Sequence, residues 1–178
     1  MPKPSLFSVL LLSCTLLAAC AADPETGRTD DPHAVQVSAP GEARCLQTDP
    51  GQNAAGVAAT NQMRRQAGLP PVRSSMQLAQ VAAAHACDMA RRGRMTHIGS
   101  TTTGPAARVK AAGYRPSVTA ENIAAGPYSL PRVLQEWNKS QGHLNNILLP
   151  QVRDYGVGQA LGPDGRTIYW AAVYSAPQ

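Results

Sequence analysis

The chain of 178 residues lacks several features that would assign it to a broad functional class. Its apolar run from Leu6 to Leu12 is far shorter than the roughly 20 residues of a membrane-spanning helix. It has no dense basic run interleaved with aromatic residues, as a nucleic-acid surface would show. It also lacks the glycine fingerprint of a dinucleotide-binding fold and the Gly-x-Ser-x-Gly elbow of serine hydrolases. These absences argue against nucleic-acid partners, nucleotide cofactors and a serine nucleophile.

Local metal-finger spacing, with ligands two to five residues apart, is absent as well. Residues that can bind a metal or move a proton lie instead in three separate clusters. These are Thr-His-Ile-Gly-Ser at 96–100, Ala-Glu-Asn-Ile-Ala at 120–124 and Gly-His-Leu-Asn-Asn-Ile at 142–147. Because His97, Glu121 and His143 are far apart in the chain, only tertiary folding could bring them together.

The N-terminus has the pattern of an export signal. Lys3 precedes the apolar run, and Leu17-Ala18-Ala19-Cys20 has the form of a bacterial lipobox. We therefore predict a signal peptide at 1–19 and a lipid-modified Cys20 that attaches the protein to a membrane. An ordinary secretory signal cut nearby, with Cys20 incidental, is the alternative. Ala21 follows the cysteine where an inner-membrane retention signal would place Asp, which predicts the outer membrane if the cell is Gram-negative.

Cleavage before Cys20 would remove Lys3 and leave 15 basic and 11 acidic side chains, a net charge of +4. Such a mild excess fits a solvated surface as well as adhesion to anionic lipid or cell-wall polymers. The sequence leaves the oligomeric state open.

Two further cysteines, Cys45 and Cys87, would remain in an oxidising compartment. An even pair there predicts a disulfide. The alternative is a buried free Cys87 beside a mobile Cys45.

The segment 20–43 has several Asp-Pro and Pro-Gly steps and few large apolar residues, so we predict a flexible tether before a single domain at 44–178. In the domain, the patterns predict helices at 57–66, 76–92, 105–113 and 131–139, and strands at 118–124, 157–161 and 167–174. Gly162-Pro163-Asp164-Gly165 is a strong hairpin turn. His85 and Trp137 fall on apolar helix faces and are interpreted as interior residues.

The order of these pieces resembles the bacterial branch of the CAP superfamily, also called the SCP domain, which includes cysteine-rich secretory proteins, antigen 5 proteins and pathogenesis-related proteins. The resemblance spans roughly 120 residues and rests on segments beyond the three clusters. They are Asn61 to Pro71, Ala84 to Ala90, Arg108 to Tyr114, Trp137 with Ser140-Gln141-Gly142-His143, Tyr155 to Gly158, and Tyr169-Trp170.

The resemblance implies an α+β fold, a three-layer α-β-α sandwich, with a central cleft that holds His97, Glu121 and His143. Two imidazoles and a carboxylate could hold Zn²⁺ or another divalent cation, with His97 and His143 as ligands and Glu121 as a ligand or an orienting group. Eukaryotic relatives carry a second glutamate where this chain has Ser140, which the resemblance therefore makes the fourth predicted cleft residue. The loss of that glutamate weakens any mechanism that needs two carboxylates. Alternatively, the two histidines are polar struts around Glu121.

Three functions compete on this basis. We predict a lipid-anchored, non-catalytic binding module of the bacterial cell envelope, whose cleft takes a divalent metal, a lipid or another small molecule. The first alternative is a hydrolase in which His97, Glu121 and His143 activate water. The second is an envelope interaction protein that does not need its cleft.

Overall fold

The computed structural model describes residue 1 and residues 31–178. Residues 2–19 of the predicted signal peptide and Cys20 lie outside the described residues. The helices are α1 (Pro50–Gln66), α2 (Met76–Arg92), α3 (Pro105–Ala111), α4 (Leu130–Lys139) and α5 (Gln141–Ile147). The strands are β1 (Val35–Gln36), β2 (Arg44–Cys45), β3 (Arg73–Ser74), β4 (Arg94–Met95), β5 (Pro116–Gly126), β6 (Asp154–Leu161) and β7 (Ile168–Pro177).

The central sheet is built on three long antiparallel strands. Its order is β2-β6-β7-β5, and the short β3 pairs with β6 in parallel. The predicted turn at 162–165 joins β6 to β7, where Asp164 accepts hydrogen bonds from the backbone of Arg166 and Thr167. A separate two-stranded sheet pairs β1 with β4.

Helices cover both faces of the central sheet. Alternation along β7 directs Tyr169, Ala171 and Val173 into a core with α2 and α3, whereas Trp170 and Tyr174 enter a second core with α1, α4 and α5. Two hydrophobic cores on either side of one sheet make a three-layer α-β-α sandwich. The predicted fold class is thus confirmed.

Local signals place α2 accurately. The Ser75 hydroxyl accepts a hydrogen bond from the Leu78 amide at 3.3 Å, and Gly93 ends the helix in the left-handed conformation at φ 62°. α1 begins at Pro50 rather than at the predicted residue 57, because Asp49 caps it and several of its buried residues are polar. α5 was not predicted.

The two cysteines are joined. Cys45 on β2 and Cys87 on α2 form a disulfide, with their α-carbons 5.1 Å apart. The predicted disulfide is confirmed, and it ties an edge strand to the helix that covers the sheet.

The end of the predicted tether lies against the domain. From Asp31 onward the chain follows β4 and the end of α2, and Gly93 O accepts hydrogen bonds from the amides of Val37 and Ser38. These bonds use backbone groups that composition does not reveal. Among the described residues, no helix is both long and apolar enough to cross a membrane.

Candidate functional site

Glu121 is the centre of the site. It lies on β5, on the same face as Ile123, so its side chain points toward the core formed with α2 and α3. The carboxylate is fully buried, with Oε1 2.9 Å from His97 Nδ1 and Oε2 2.6 Å from an Arg108 guanidinium nitrogen. Both oxygens are therefore engaged by neighbouring side chains.

His85 completes this buried network from α2. Its Nε2 lies 2.9 Å from the Thr96 carbonyl oxygen and 3.6 Å from Glu121 Oε1. Since a carbonyl only accepts hydrogen bonds, Nε2 carries the proton. Burial lowers the pKa of His85 to about 4, despite the opposing charge of Glu121, so the ring is neutral at pH 7. His85 lies in the interior, where its helical position predicted it.

Glu121 remains ionised in this setting. Burial by itself would raise the pKa of its carboxyl, but His85, His97 and Arg108 outweigh burial and lower it. Because His85 is neutral, the permanent opposite charge comes from Arg108, whose side chain is only 9% exposed. Arg108 belongs to a segment that supported the family resemblance, but its ion pair with Glu121 was not foreseen.

His97 is prepared to act through one nitrogen. An ionised carboxylate can only accept, so His97 Nδ1 donates a hydrogen bond to Glu121, and in this tautomer the lone pair of the ring lies on Nε2. The side chain is 32% exposed. This arrangement, a carboxylate behind an imidazole, is the one that orients histidine ligands of metals.

His143 enters from α5, just after Ser140 breaks the helical path between α4 and α5. Its ring lies 6.4 Å from the Trp137 ring, centroid to centroid. Nδ1 is buried without a hydrogen-bond partner among the described residues, so the exposed part of the ring is its other edge. Burial, followed by the charge of His97, lowers the pKa of His143.

Two asparagines hold α5 on β5. Asn146 donates to the Glu121 carbonyl at 3.1 Å and to the Asn122 side chain at 2.9 Å, and Asn122 donates to the His143 carbonyl at 3.1 Å. Both lie inside the sequence clusters that drew attention to Glu121 and His143. Their amide chemistry was the available signal, and the sequence prediction gave them no role.

All four predicted cleft residues line one cavity of about 580 Å³. Its walls also include residues from the N-terminal segment, from β4 and from α5. The lining residues are Pro32, His33, Val35, Met95, His97, Glu121, Ile123, Ser140, Gly142, His143 and Asn146. His33 was not predicted, because nothing in its sequence context marks it. Glu136, near in sequence to the missing carboxylate, instead pairs with Arg132 at 2.8 Å.

A second cavity, of about 550 Å³, lies between α2 and α3. His85 and Arg108 contribute to its wall, but none of the four predicted cleft residues does. The cavity that contains His97 and His143 is therefore the candidate site.

The donor set limits the kind of metal site that fits. In the part of the chain that the structure describes, no three His, Cys, Asp or Glu side chains are placed to hold a metal ion together. Glu121 is occupied by His97 and Arg108, and a metal on His143 Nε2 would require a proton on the partnerless Nδ1. The described residues therefore form no closed structural metal site, and His97 and His143 are the side chains that would hold an ion in an open one.

Several known proteins are similar to the chain in sequence or in structure. YkwD, an uncharacterized protein of Bacillus subtilis strain 168, is 33% identical over 99 residues, which are 56% of this chain and 38% of that protein. An extracellular protein with an SCP domain from Bacillus anthracis is 27% identical at a TM-score of 0.62, over 71% of this chain and 40% of that one. The chain thus spans less than half the length of both relatives.

An outer surface protein of Borrelia burgdorferi has the same fold over 78% of this chain and 99% of its own, at a TM-score of 0.65 and 18% identity. The profile of the cysteine-rich secretory protein family matches residues 57–174, about two thirds of the chain and all of the cleft residues from β4 onward. The chain belongs to the cysteine-rich secretory protein (CAP) family.

Proposed function

We propose that the chain is a binding module of the bacterial cell envelope whose cleft binds a divalent cation through His97 and His143. The observation that carries this proposal is the 2.9 Å hydrogen bond between His97 Nδ1 and Glu121, which leaves Nε2 as a lone-pair donor at the cleft. Zn²⁺ suits imidazole ligands, and water or a small ligand would complete its coordination.

Such a site is weak and exchangeable. Only two side chains would ligate the ion, and Ser140, at the position where eukaryotic members of the family carry a second glutamate, lines the same cavity. Proton uptake by the imidazoles competes with metal, so affinity falls as pH decreases through the histidine range. Because the protein would supply only two ligands, coordination positions on the cation would stay open. A small molecule could occupy one of them, which suits a binding role.

Hydrolysis is a less suitable function for this geometry. Among the residues that the structure describes, Glu121 is the one carboxylate that lines the cavity, and both of its oxygens are engaged, whereas hydrolysis by paired acids needs two carboxylates flanking one bond. One feature favours a hydrolase as the second candidate. The hydrogen bond from His97 Nδ1 to Glu121 would help His97 Nε2 to accept a proton from an attacking water.

The location outside the cytoplasm has support from relatives. The Bacillus anthracis relative is an extracellular protein, and the Borrelia burgdorferi protein with this fold is an outer surface protein. For this chain we propose an extracytoplasmic position with a lipid anchor at Cys20, in the outer membrane if the cell is Gram-negative.

The test is calorimetric titration of Zn²⁺ into chelator-treated protein at pH 7.5 and pH 5.5. Wild type should bind, and should bind more weakly at the lower pH, because protons compete with the metal for the imidazole nitrogens. The double variant His97→Ala, His143→Ala should lose this binding. Gln135→Ala, on the exposed side of α4, is the matched control and should bind as wild type does.

Two results would oppose the proposal. Equal Zn²⁺ binding by wild type and the double variant would mean that the cation does not bind in the cleft. It would favour the alternative that the chain is an envelope interaction protein. Turnover of ester or peptide substrates that disappears in the double variant would favour the hydrolase.

Ser140→Glu adds a negative charge beside the cation and should tighten binding.

A further inference from the structure

The segment that precedes the family domain forms part of the cleft. Residues 31–38 run beside β4, and Pro32, His33 and Val35 line the same cavity as His97 and His143. This segment lies before residue 57, where the match to the family begins. The part of the cavity wall formed by residues 32–35 therefore lies outside the region that matches the family.

Asp31 binds directly to the residues that carry the site. Its Oδ2 accepts a hydrogen bond from the His97 amide at 2.6 Å and another from the Thr96 hydroxyl at 2.7 Å. Its Oδ1 accepts from the His33 amide at 2.9 Å, which closes a tight turn at the start of the segment. One carboxylate thus joins the segment to the chain at His97.

His97 is consequently held at three points. Asp31 holds its amide nitrogen, Arg108 donates to its carbonyl oxygen at 2.9 Å, and Glu121 accepts from its ring at 2.9 Å. The preceding Thr96 carbonyl is held by His85. Of these anchors, Asp31 alone comes from outside the matched region 57–174.

Further contacts hold the segment along its length. Val35 pairs with Met95 and Gln36 with Arg94, and the Gln36 side chain donates to the Gly93 carbonyl at 3.1 Å. The Ser38 hydroxyl lies 3.0 Å from the Tyr169 hydroxyl. These contacts keep His33 and Val35 at the cleft.

We propose that Asp31 is a positioning residue for His97 and that residues 32–35 form one wall of the binding cleft. A cation bound in the cleft, together with its small ligand, would face this wall. The cation part of this inference rests on the proposed function; the positioning of His97 does not. Outer-shell partners of metal-binding histidines typically change metal affinity by 10–100-fold when they are removed.

The experiment compares Asp31→Ala and Asp31→Asn with wild type. Asp164→Ala is the matched control, because Asp164 also accepts bonds from a threonine hydroxyl and nearby amides but lies in the β6–β7 turn. Nitrogen NMR of the imidazoles reports the His97 tautomer without metal. Titration with Co²⁺ alone gives the affinity, and its paramagnetic effect on amide signals reports which residues are near the ion.

Asp31→Ala should weaken Co²⁺ binding about tenfold and turn the single His97 tautomer into a mixture. Asp31→Asn keeps one acceptor oxygen, so its Co²⁺ affinity and its His97 tautomer ratio should lie between those of wild type and Asp31→Ala. The amide signals of residues 33–35 should be shifted or broadened by Co²⁺ in wild type and less so in Asp31→Ala. Asp164→Ala should match wild type in all three measurements.

An unchanged His97 tautomer together with unchanged Co²⁺ affinity in Asp31→Ala would overturn the positioning role, even if the variant were less stable. Amide signals of 33–35 that do not respond to bound Co²⁺ would overturn the wall. If wild type binds no metal at all, the proposed function fails, and the tautomer measurement alone still decides whether Asp31 positions His97.

Discussion

At the scale of single residues, three histidines of the domain have different chemistry because their surroundings differ. His85 is buried and donates to the Thr96 carbonyl, His97 donates to Glu121, and His143 has a buried Nδ1 without a partner among the described residues. The helical spacing around His85 predicts its burial, but spacing cannot assign the hydrogen bonds of the three rings, since each depends on atoms from distant segments.

The buried neutral His85 predicts a loss of stability in mild acid. Its folded pKa of about 4 lies below the ordinary value of 6.5, so between these pH values the unfolded chain binds the extra proton. The free energy of unfolding should fall by about 3 kcal/mol as pH drops through this window. The lowered pKa of His143 acts in the same direction. Denaturant unfolding at pH 7, 6, 5 and 4 measures the slope.

The matched variant is His85→Gln, whose amide nitrogen lies near the position of His85 Nε2 and can donate to the Thr96 carbonyl but does not titrate. Its pH slope above pH 4.5 should be much shallower than that of wild type. Below that pH, protonation of Glu121, whose folded pKa is lowered, removes further stability in both proteins. An identical slope in the two proteins above pH 4.5 would contradict the role of His85.

The ion pair of Arg108 with Glu121 predicts a large effect from one substitution. Arg108→Met leaves a fully buried carboxylate without its permanent counter-charge and should cost about 3–5 kcal/mol of stability. Arg132→Met, which breaks the exposed pair with Glu136, should cost less than about 1 kcal/mol. Denaturant unfolding at pH 7 compares the two, and similar small losses would mean that other groups satisfy Glu121.

At the scale of elements, α2 approaches β6 so closely that two glycines are required. A β-carbon on Gly156 or Gly158 would collide with the backbone of Ala79 or Ala83 on α2. The disulfide secures the same layer by joining α2 to β2.

Gly158→Ala should therefore destabilise the domain by about 1–3 kcal/mol, because a helix backbone cannot move aside as a flexible side chain can. The matched control is Gly142→Ala in α5, where a β-carbon would meet nothing within 4 Å. That change should be neutral or stabilise by at most about 1 kcal/mol. Thermal unfolding of both variants measures the difference, and a neutral Gly158→Ala would show that α2 can shift.

The disulfide predicts a loss of up to about 4 kcal/mol in the Cys45→Ala, Cys87→Ala variant, from the chain entropy of a loop that closes a separation of 42 residues. Unfolding with and without reductant checks this. Reductant should destabilise wild type and leave the variant unchanged. Two reactive thiols on the unfolded, unreduced protein at Cys45 and Cys87 would contradict the bond.

At the scale of the whole molecule, the cleft and the proposed anchor are close along the chain. Cys20 and Asp31 are separated by 11 residues in the sequence, which can span no more than about 40 Å. An anchor at Cys20 would therefore keep the cleft wall within about that distance of the membrane. The cleft would then sample molecules at the envelope surface.

Lipidation predicts that Cys20→Ser leaves an unprocessed or soluble protein, because membrane affinity depends on the acyl anchor. Metabolic labelling with a fatty acid, followed by separation of membranes, measures it. Ala21→Ser changes the neighbouring residue and should leave labelling intact. A wild-type protein that takes up no label would favour the ordinary secretory signal.

The sequence by itself determined the family, the three-layer fold and the main elements. Caps such as Ser75 and Gly93, the turn at 162–165 and the alternation along β7 act locally, so they can be recognised in the linear chain. The two-residue strands β1 to β4 were not predicted, because such short strands form only where a partner strand hydrogen-bonds to them. The same holds for residues 31–38, whose place beside β4 depends on distant backbone groups.

The cleft was predictable in its residues but not in its chemistry. His97, Glu121, Ser140 and His143 line one cavity, and the family resemblance was the reason to expect them in a shared cleft. Only the tertiary structure decided that Arg108 compensates the charge of Glu121, that Glu121 accepts a hydrogen bond from His97 Nδ1 and that Asp31 accepts one from the His97 amide. The physical reason is that protonation, tautomer and ligand capacity depend on neighbouring atoms within a few ångströms, and folding brings those atoms from segments far apart in the chain.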